Sequence, residues 1–331
     1  MKRVTFEGPD AVQAWLDWRR EGVGASDVAP IMGFAPSSWG SCWSTWANKL
    51  GLLPDFKGTR MMNAGKLAER MIKPYFEQET GLYIGGEQGG IEGDNPIHRT
   101  TTDGSVFDQP SRCTHSGLCP VPGHPTVIHG DLPVSIADFD TDEDALVEMK
   151  NDSRTWGWDK IPLHYETQGQ WQMHVSGLDR VFFAVLHRGW DLKVYELERN
   201  QRDIDLMVEA VDRFWIDHVL TGFPPDVDDS EATAKALFAV YPGGSGDAVD
   251  LTAMRDTVER WLDAKSLAKS VKATVDELAN EIKAVFGNAE EGLIDGQLAL
   301  SWRRFDKKEY TVKARSERRL TVHGVLKGDD R

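Results

Sequence analysis

The 331-residue sequence predicts an α/β domain followed by a helical arm and a small β-rich appendage. Up to about residue 222, segments with apolar residues at helical intervals occur alongside short strand-like runs. The stretch "FPPDVDD" then predicts a boundary, since its prolines and aspartates stop both helices and strands. Beyond it lie a long charged helical stretch and an alternating tail. We therefore expect one domain over residues 1–222 and a second unit over residues 223–331.

The N-terminal part of the first domain predicts helices. Spaced apolar residues indicate a helix over 11–22, and "GVGASDVAPIMG" indicates a turn with Ser26 or Asp27 capping a short helix. A further helix is expected to end at Gly51. A long amphipathic helix is expected to end at Gly81, with a kink or break at Pro74.

The rest of the first domain predicts mainly strands. Residues 85–133 are rich in Gly, Pro, Ser, Asp and Thr, so we interpret them as an insert with little regular structure. "LPVSIADF" and "ALVEMK" are then expected to form strands, and "LHYETQGQWQMHVSG" a helix that ends at Ser-Gly. A β-hairpin is predicted to turn at Arg188–Gly189, before a final amphipathic helix.

Composition narrows the class of protein. The formal charge of −15 disfavours a basic nucleic-acid coat, but it leaves room for a locally basic channel around a carboxylate site. No apolar run approaches the roughly 20 residues that span a bilayer, and the N-terminus lacks the apolar core of a secretory signal. Three cysteines indicate a reducing compartment. We expect a protein without membrane contact, in a reducing compartment.

A carboxylate and a lysine end the strand-like run "ALVEMK". Residues two apart share a face of a strand, so Glu148 and Lys150 are expected to project together. The preceding strand ends at Asp138, and a short hairpin would bring it beside Glu148. Two adjacent carboxylates call for a cation, and an all-oxygen set favours Mg²⁺ or Mn²⁺ over zinc. This arrangement is typical of phosphodiester-cleaving sites, although Glu-x-Lys triplets are also common by chance.

Four blocks over roughly residues 15–220 resemble the YqaJ viral recombinase family, which contains the lambda-type 5′→3′ exonucleases of the PD-(D/E)XK nuclease fold. They are "WRREGVGASDVAPIMG", "AGKLAERMIKPYFEQETG" with Gly65 and Glu69, "ADFDTDEDALVEMKN", and "HYETQGQWQMHVSG". The resemblance implies a restriction-endonuclease-like core, a mixed central sheet flanked by helices.

The resemblance also implies roles for site residues. Asp138 and Glu148 would bind the metal, with two ions expected, and Lys150 would assist the nucleophile. Gln168 would contact the water or the lysine, and Glu69 would add an outer carboxylate. The last two implied residues, Arg19 and Ser26, would bind the 5′-phosphate of the DNA end.

Several assignments have alternatives. Glu69 and Gln168 could be solvated helix residues, Ser26 could be only a helix cap, and Arg20 could take the role of Arg19. At the first aspartate the family usually shows Pro-Asp-Gly, whereas Asp138 lies between Ala137 and Phe139. Asp103–Gly104 is closer to that tripeptide, but we prefer Asp138 because the hairpin needs a short connection.

The insert and the tail offer further candidates. Cys113, His115, Cys119 and His124 could form a tetrahedral structural zinc site, although their spacing matches no common zinc finger. The tail after residue 301 combines basic and aromatic residues, a composition that suits a nucleic-acid strand or a solvated basic face.

The expected function is a Mg²⁺-dependent 5′→3′ exonuclease, phage or prophage encoded, that degrades one strand of double-stranded DNA ends and leaves 3′ overhangs for recombination. The resemblance implies a ring-like homo-oligomer in the cytoplasm of a bacterial host, with a single-strand annealing protein as partner. The alternatives are an endonuclease or repair nuclease of the same fold, and a catalytically inactive DNA-binding or assembly protein.

Overall fold

The computed structural model describes residues 1–54, 58, 60–85, 89–107, 145–152, 155–244 and 246–305. The chain divides into two compact units, Met1–Pro242 and Gly243–Arg331. This boundary lies beyond the expected one at 222/223. The reason is the helix Glu231–Val240, which belongs to the first unit because the Thr233 hydroxyl donates to the Ser41 hydroxyl at 2.7 Å.

The centre of the first unit is a five-stranded mixed sheet in the order β2-β5-β6-β7-β8. Only β6 and β7 run parallel, and each of the other neighbouring pairs is antiparallel. The strands are β2 (Tyr83–Gly85), β5 (Gly104–Phe107), β6 (Ala145–Asp152), β7 (Arg180–His187) and β8 (Asp191–Glu198). The prediction of an α/β core with a mixed central sheet is confirmed.

The burial of each strand follows its place in the sheet. Seven of the eight residues of central β7, "RVFFAVLH", are buried, as expected for a strand covered on both faces. The edge strand β8 alternates between half-buried and exposed positions. The predicted hairpin joins them, and its turn places both Arg188 and Gly189 at positive φ, as a type I′ turn requires.

Two helices cover the faces of this sheet. α4 (Arg60–Thr80), which runs through Pro74, packs Ala68, Ile72 and Phe76 against one face. α5 (Leu163–Ser176) connects parallel β6 to β7 and lies on the other face, where Met173 meets Leu146 and Phe183.

The remaining helices surround α5. Two buried tryptophans of α3 and one of α5 are central to their shared core. The elements are α1 (Ala11–Arg20), α2 (Ala25–Ile31), α3 (Cys42–Lys49), α6 (Gln201–Phe214), which continues as a π-helical turn Trp215–Val219, and α7 (Glu231–Val240). The cap of α2 is Gly24 rather than Ser26 or Asp27, because Asp27 lies inside the helix and accepts a hydrogen bond from the Gly24 amide.

A three-stranded antiparallel sheet in the order β1-β3-β4 completes the unit. It consists of β1 (Lys2–Val4), β3 (Gly89–Glu92) and β4 (Arg99–Thr102). The prediction of an irregular insert over 85–133 is therefore wrong for residues 89–107, which form β3, β4 and β5. Short strands rich in Gly and Thr carry little apolar periodicity, so their composition indicated a loop.

The second unit contains a single-turn 3₁₀-helix Thr252–Met254, the long helix α8 (Arg255–Phe286) and an antiparallel hairpin of β9 (Glu291–Ile294) with β10 (Gln297–Ser301). The expected helical arm and β appendage are thus observed. Arg303 and Arg304 of the basic tail are described, and the tail beyond residue 305 lies outside the described residues. Within the described part of the chain, every helix is too short or too polar to cross a membrane.

Candidate active site

Strand β6 directs a carboxylate and a lysine to the face covered by α5. Val147 and Met149 pack on the α4 side, so Glu148 and Lys150 project together on the other side, as expected. Glu148 is buried, and its Oε1 accepts a hydrogen bond from Lys150 Nζ at 2.6 Å. The two side chains therefore form an ion pair inside the protein.

Glutamines of α5 complete the hydrogen bonding of this pair. Gln168 Nε2 donates to Glu148 Oε1 at 2.6 Å, and Lys150 Nζ donates to Gln168 Oε1 at 3.3 Å. Gln172 Nε2 donates to Glu148 Oε2 at 2.7 Å and to the carbonyl of Thr101 at 3.1 Å. Each oxygen of Glu148 is thereby fixed in place.

Sequence reasoning missed Gln172. It lies four residues after Gln168, and residues four apart on a helix share a face. That spacing was the available signal. Its side-chain oxygen, Oε1, is buried and accepts no hydrogen bond from the described residues. Such an unsatisfied polar atom is costly and more typical of functional sites than of a packed core.

Tyr165 supports the lysine from the same helix. Lys150 Nζ lies 4.9 Å from the centre of the Tyr165 ring, within the range of a cation–π contact. Trp158 stacks on that ring at 5.1 Å. Burial alone would lower the pKa of Lys150, but the charges of Glu148 and Asp103 outweigh burial and raise it. Lys150 therefore stays an ammonium at neutral pH.

Asp103 lies beside this pair. It directly precedes β5, whose Gly104 pairs with Val147, so the register places Asp103 opposite Glu148. Its Oδ2 accepts a hydrogen bond from the Met149 amide at 2.8 Å. Burial, together with the nearby charge of Glu148, raises the pKa of Asp103 to about 8. The protein thus holds this carboxyl group where its negative charge is unfavourable.

Asp138, the predicted ligand, lies outside the described residues, so its assignment stays a prediction. The hairpin that motivated it required a partner strand along Ala145–Val147. In the structure β5 occupies that edge of β6, and β7 occupies the other. The short connection therefore no longer favours Asp138 over Asp103.

Glu69 approaches the same site from α4. The half-buried Glu69 follows Ala68, which packs on the sheet, and its charge contributes to the raised pKa of Asp103. The role of Glu69 as an outer carboxylate stays a prediction.

Arg19 and Ser26 meet in a cleft at the start of α2. Arg19 Nη2 donates to Ser26 Oγ at 2.9 Å and lies 3.7 Å from Asp27 Oδ1. Arg20, the alternative, instead donates to Asp17 at 3.0 Å. The cleft is lined by Trp18, Arg19, Gly24, Ala25, Ser26, Arg99, Thr100 and Thr101.

A buried lysine that the sequence analysis did not single out supports this cleft. Lys49 Nζ donates to Asp27 Oδ2 at 2.6 Å and to the carbonyl of Arg19 at 2.8 Å. Burial alone would raise the pKa of Asp27, but Lys49 and Arg19 lower it. Asp27 therefore stays ionised and holds both cations in place.

Strand β4 links the cleft to the carboxylates. Thr100 and Thr101 line the cleft. The Thr101 carbonyl accepts a hydrogen bond from Gln172, which also donates to Glu148. A cation-rich cleft and a carboxylate-rich site therefore occupy neighbouring positions along one strand.

The donor set at Asp103 and Glu148 fits a hard divalent cation. Among the described residues, no group of three or more His, Cys, Asp or Glu side chains is placed to hold an ion. Mg²⁺ is commonly bound by one or two carboxylates together with waters and substrate phosphates, so the buried Glu148 and the half-buried Asp103 suffice. The candidate zinc residues Cys113, His115, Cys119 and His124 lie outside the described residues.

Comparison with known families identifies the chain. Residues 14–179 match the model of the YqaJ-like viral recombinase domain, and this span contains Arg19, Asp103, Glu148, Lys150 and Gln168. The chain belongs to this family. It is 26% identical over 301 residues to the uncharacterized protein YqaJ of Bacillus subtilis, covering 87% of this chain and 82% of that protein.

Two solved structures with a similar course of the chain carry the name exonuclease. The alkaline exonuclease LHK-Exo of Laribacter hongkongensis is 19% identical, with a TM-score of 0.45, over 64% of this chain and 94% of its own. A phage-related exonuclease of Haemophilus somnus is 12% identical, with a TM-score of 0.39, over 61% of this chain and 96% of its own. Similarity at this level does not identify an activity.

Proposed function

We propose that this protein is a metal-dependent exonuclease that degrades one strand of linear double-stranded DNA from the 5′ end and leaves 3′ overhangs. One observation carries the proposal. Asp103, directly before β5, lies opposite Glu148 of the paired strand β6, and Lys150 donates at 2.6 Å to Glu148. Family membership supports a role in DNA recombination.

The two carboxylates would hold Mg²⁺ or Mn²⁺, in keeping with their oxygen-only chemistry. When bound, such an ion polarises a phosphoryl oxygen and favours attack by water. A second ion and the outer carboxylate Glu69 belong to the same proposal. The raised pKa of Asp103 supports it, because a cation would relieve the repulsion between the two carboxylates.

Lys150 and Gln168 would act on the reacting groups themselves. The lysine ammonium would offset the charge that develops on the phosphate, and the Gln168 side chain would orient the attacking water. Because Gln168 and Lys150 share the Glu148 oxygen, the three groups are already positioned before the substrate arrives.

Arg19 and Ser26 would bind the 5′-phosphate of the DNA end. A guanidinium and a hydroxyl suit a phosphate, and Asp27 and Lys49 hold the arginine in place. Water would form a bond to phosphorus while the bond from phosphorus to the 3′ oxygen breaks. That cleavage leaves a new 5′-phosphate, which can enter the same cleft in the next cycle.

The proposal is tested by incubating the protein with linear and closed-circular duplex DNA, with Mg²⁺ or with EDTA. We expect loss of 5′-labelled linear DNA only, and only with Mg²⁺. Lys150→Ala should abolish the loss. Lys235→Ala is the matched control, since Lys235 forms an exposed ion pair with Glu231 and should leave the rate unchanged.

The same experiment separates the alternatives. Nicking of the closed circle would instead indicate an endonuclease. On linear DNA labelled at the 3′ end, early release of that label would indicate a 3′→5′ exonuclease. DNA binding without cleavage, with Lys150→Ala equal to the native protein, would indicate an inactive DNA-binding or assembly protein.

The wider setting is proposed from the resemblance. We propose a ring-like homo-oligomer that works with a single-strand annealing protein in a bacterial cytoplasm, encoded by a phage or prophage. Light scattering gives the mass of the oligomer directly, and a monomeric mass in the presence of DNA would contradict this part of the proposal.

A further inference from the structure

An exposed tryptophan lies next to the candidate active site. The Trp39 side chain is 56% exposed, and its ring centre lies 5.0 Å from that of His164 and 6.0 Å from that of Tyr165. The Tyr165 ring in turn contacts Lys150. A series of aromatic rings thus connects the lysine of the site to an indole that faces solvent.

The loop that carries Trp39 is held in place at its base. The Ser37 carbonyl accepts a hydrogen bond from the Ala232 amide at 2.9 Å, and the Ser37 hydroxyl accepts one from the Glu231 amide at 3.0 Å. The Trp39 amide donates to the Pro36 carbonyl at 2.8 Å. A ligand that binds this indole therefore meets a loop that is already ordered, which lowers the entropic cost of binding.

Exposure alone does not single out Trp39, because isolated exposed aromatic residues are common. Trp156 and Trp190 are exposed to a similar degree, at 60% and 63%. Those two rings contact each other, and Arg188 lies over Trp156. Trp39 differs because it contacts His164 and Tyr165, on the helix that supplies Gln168.

The chemistry of the neighbourhood defines the ligand. Glu148 and Lys150 are the groups proposed to act on the phosphodiester, and the base of a bound nucleotide has to lie a short distance from its phosphate. An indole offers a flat apolar surface with no charge for a phosphate, which suits a base and tolerates any of the four.

We propose that Trp39 stacks on the base of the nucleotide next to the scissile phosphate, as a binding residue that holds the separated strand in the active site. This inference rests on the proposed nuclease function. Stacking would raise the affinity for the strand without contacting the reacting atoms, so its loss should act on KM rather than on kcat.

The kinetic test compares Trp39→Ala, Trp39→Phe and Trp190→Ala on linear duplex DNA. Loss of one base–aromatic stack corresponds to roughly tenfold in affinity, so Trp39→Ala should raise KM about tenfold and leave kcat within about twofold. Trp39→Phe retains an aromatic face and should recover most of the effect. Trp190→Ala, the matched exposed tryptophan, should leave KM unchanged.

A binding test reads the stack directly. With 2-aminopurine as the terminal base and the Lys150→Ala protein, we expect quenching of the probe that Lys150→Ala/Trp39→Ala lacks. If Trp39→Ala lowers Tm, Trp39→Leu keeps the apolar contact with His164 but removes the aromatic face.

The outcomes keep the two proposals apart. A native protein that cleaves DNA, combined with an unchanged KM for Trp39→Ala, would overturn the stacking inference alone. An equal rise in KM for Trp190→Ala would also overturn it. A native protein that cleaves nothing would overturn the nuclease, while the quenching experiment would still decide whether Trp39 binds a base.

Discussion

The first unit contains two lysine–carboxylate ion pairs with the same N–O distance. The charged group next to each pair has the opposite sign. Lys49 Nζ lies 2.6 Å from Asp27, and Lys150 Nζ lies 2.6 Å from Glu148. Around the first pair the additional charge is the Arg19 guanidinium, and the pKa of the carboxyl group is lowered. Around the second it is the Asp103 carboxylate, whose pKa is raised to about 8.

This difference separates the two pairs: under the proposed function the first supports phosphate binding and the second takes part in catalysis. The Asp27 pair carries a surplus of positive charge beside a cleft, which suits the phosphate of a DNA end. The Glu148 pair lies beside a second carboxyl group whose negative charge is unfavourable there, and a divalent cation would stabilise that charge. The distance within each pair does not reveal its role, whereas the third charged group does.

The largest expected effect comes from removing Asp103, the charged group beside the Glu148–Lys150 pair. Asp103→Asn should lower the rate of DNA cleavage at least about a thousandfold, because a metal ion supplies several kcal/mol of transition-state stabilisation. Asp138→Asn tests the competing assignment, and we expect it to retain activity within a few fold because Asp103 is the proposed ligand. Cleavage rates on linear duplex DNA with Mg²⁺ check both variants. A larger loss of rate for Asp138→Asn than for Asp103→Asn would indicate that Asp138 is the ligand.

Breaking the first pair should act on stability. Lys49→Met leaves Asp27 without its buried partner and should cost about 3 kcal/mol of the free energy of unfolding. Removing both charges in Lys49→Met/Asp27→Leu should recover most of that loss. Denaturant unfolding measures both variants.

An exposed pair provides the control for that comparison. Lys235→Met breaks the surface pair with Glu231 and should change the free energy of unfolding by less than about 0.5 kcal/mol. A loss for Lys49→Met no larger than this would contradict the supporting role of Lys49.

When metal is removed with EDTA, Asp103 and Asp27 should contribute pH dependences of stability that differ in sign. The folded state raises the pKa of Asp103 to about 8, so the stability it contributes is complete below about pH 4 and is lost as the pH rises towards 8. Asp103→Asn should therefore have a higher Tm than the native protein between about pH 4 and pH 8. A lower Tm than the native protein at pH 8 would contradict the unfavourable charge at Asp103.

Asp27 should show the opposite behaviour, because its pKa is lowered in the folded state. Its stabilising contribution is present at neutral pH and is lost as the pH falls below the unfolded value of about 4. Asp27→Asn should therefore lower Tm at pH 7, and the difference from the native protein should shrink on acidification. Thermal unfolding followed by circular dichroism measures it.

The smallest effect is expected at the edge of the cation-rich cleft. Ser26→Ala removes the hydroxyl that accepts from Arg19, but Asp27 still holds the guanidinium. Loss of one such hydrogen bond corresponds to about fivefold in affinity. KM for 5′-phosphorylated ends should rise by about that factor, with no change for 5′-hydroxyl ends. An equal rise for both kinds of end would remove Ser26 from phosphate binding.

Much of the core could be predicted because its residues follow simple periodicities. The buried run of β6 and the two-residue spacing of Glu148 and Lys150 placed both side chains on one face, and the structure agrees. The hairpin turn at Arg188–Gly189 carried an equally local signal.

The positions of Asp103 and Lys49 depend on contacts between distant parts of the chain, which no local sequence pattern indicates. Asp103 reaches Met149 across 46 positions, and Lys49 reaches the Arg19 carbonyl across 30. Because β3 to β5 are short and rich in Gly and Thr, their composition indicates a loop, and the sequence predicts a different partner strand for β6. Asp103–Gly104, which is close to the family tripeptide, is the sequence signal that favours Asp103 as the proposed ligand.

The central claim is that Asp103 and Glu148 hold one divalent cation beside Lys150. Anomalous diffraction from crystals of the native protein grown with Mn²⁺ tests it most directly. We predict a manganese peak within about 2.5 Å of a carboxylate oxygen of each of these two residues. Manganese bound elsewhere, or no peak near Glu148 at saturating Mn²⁺, would contradict the account.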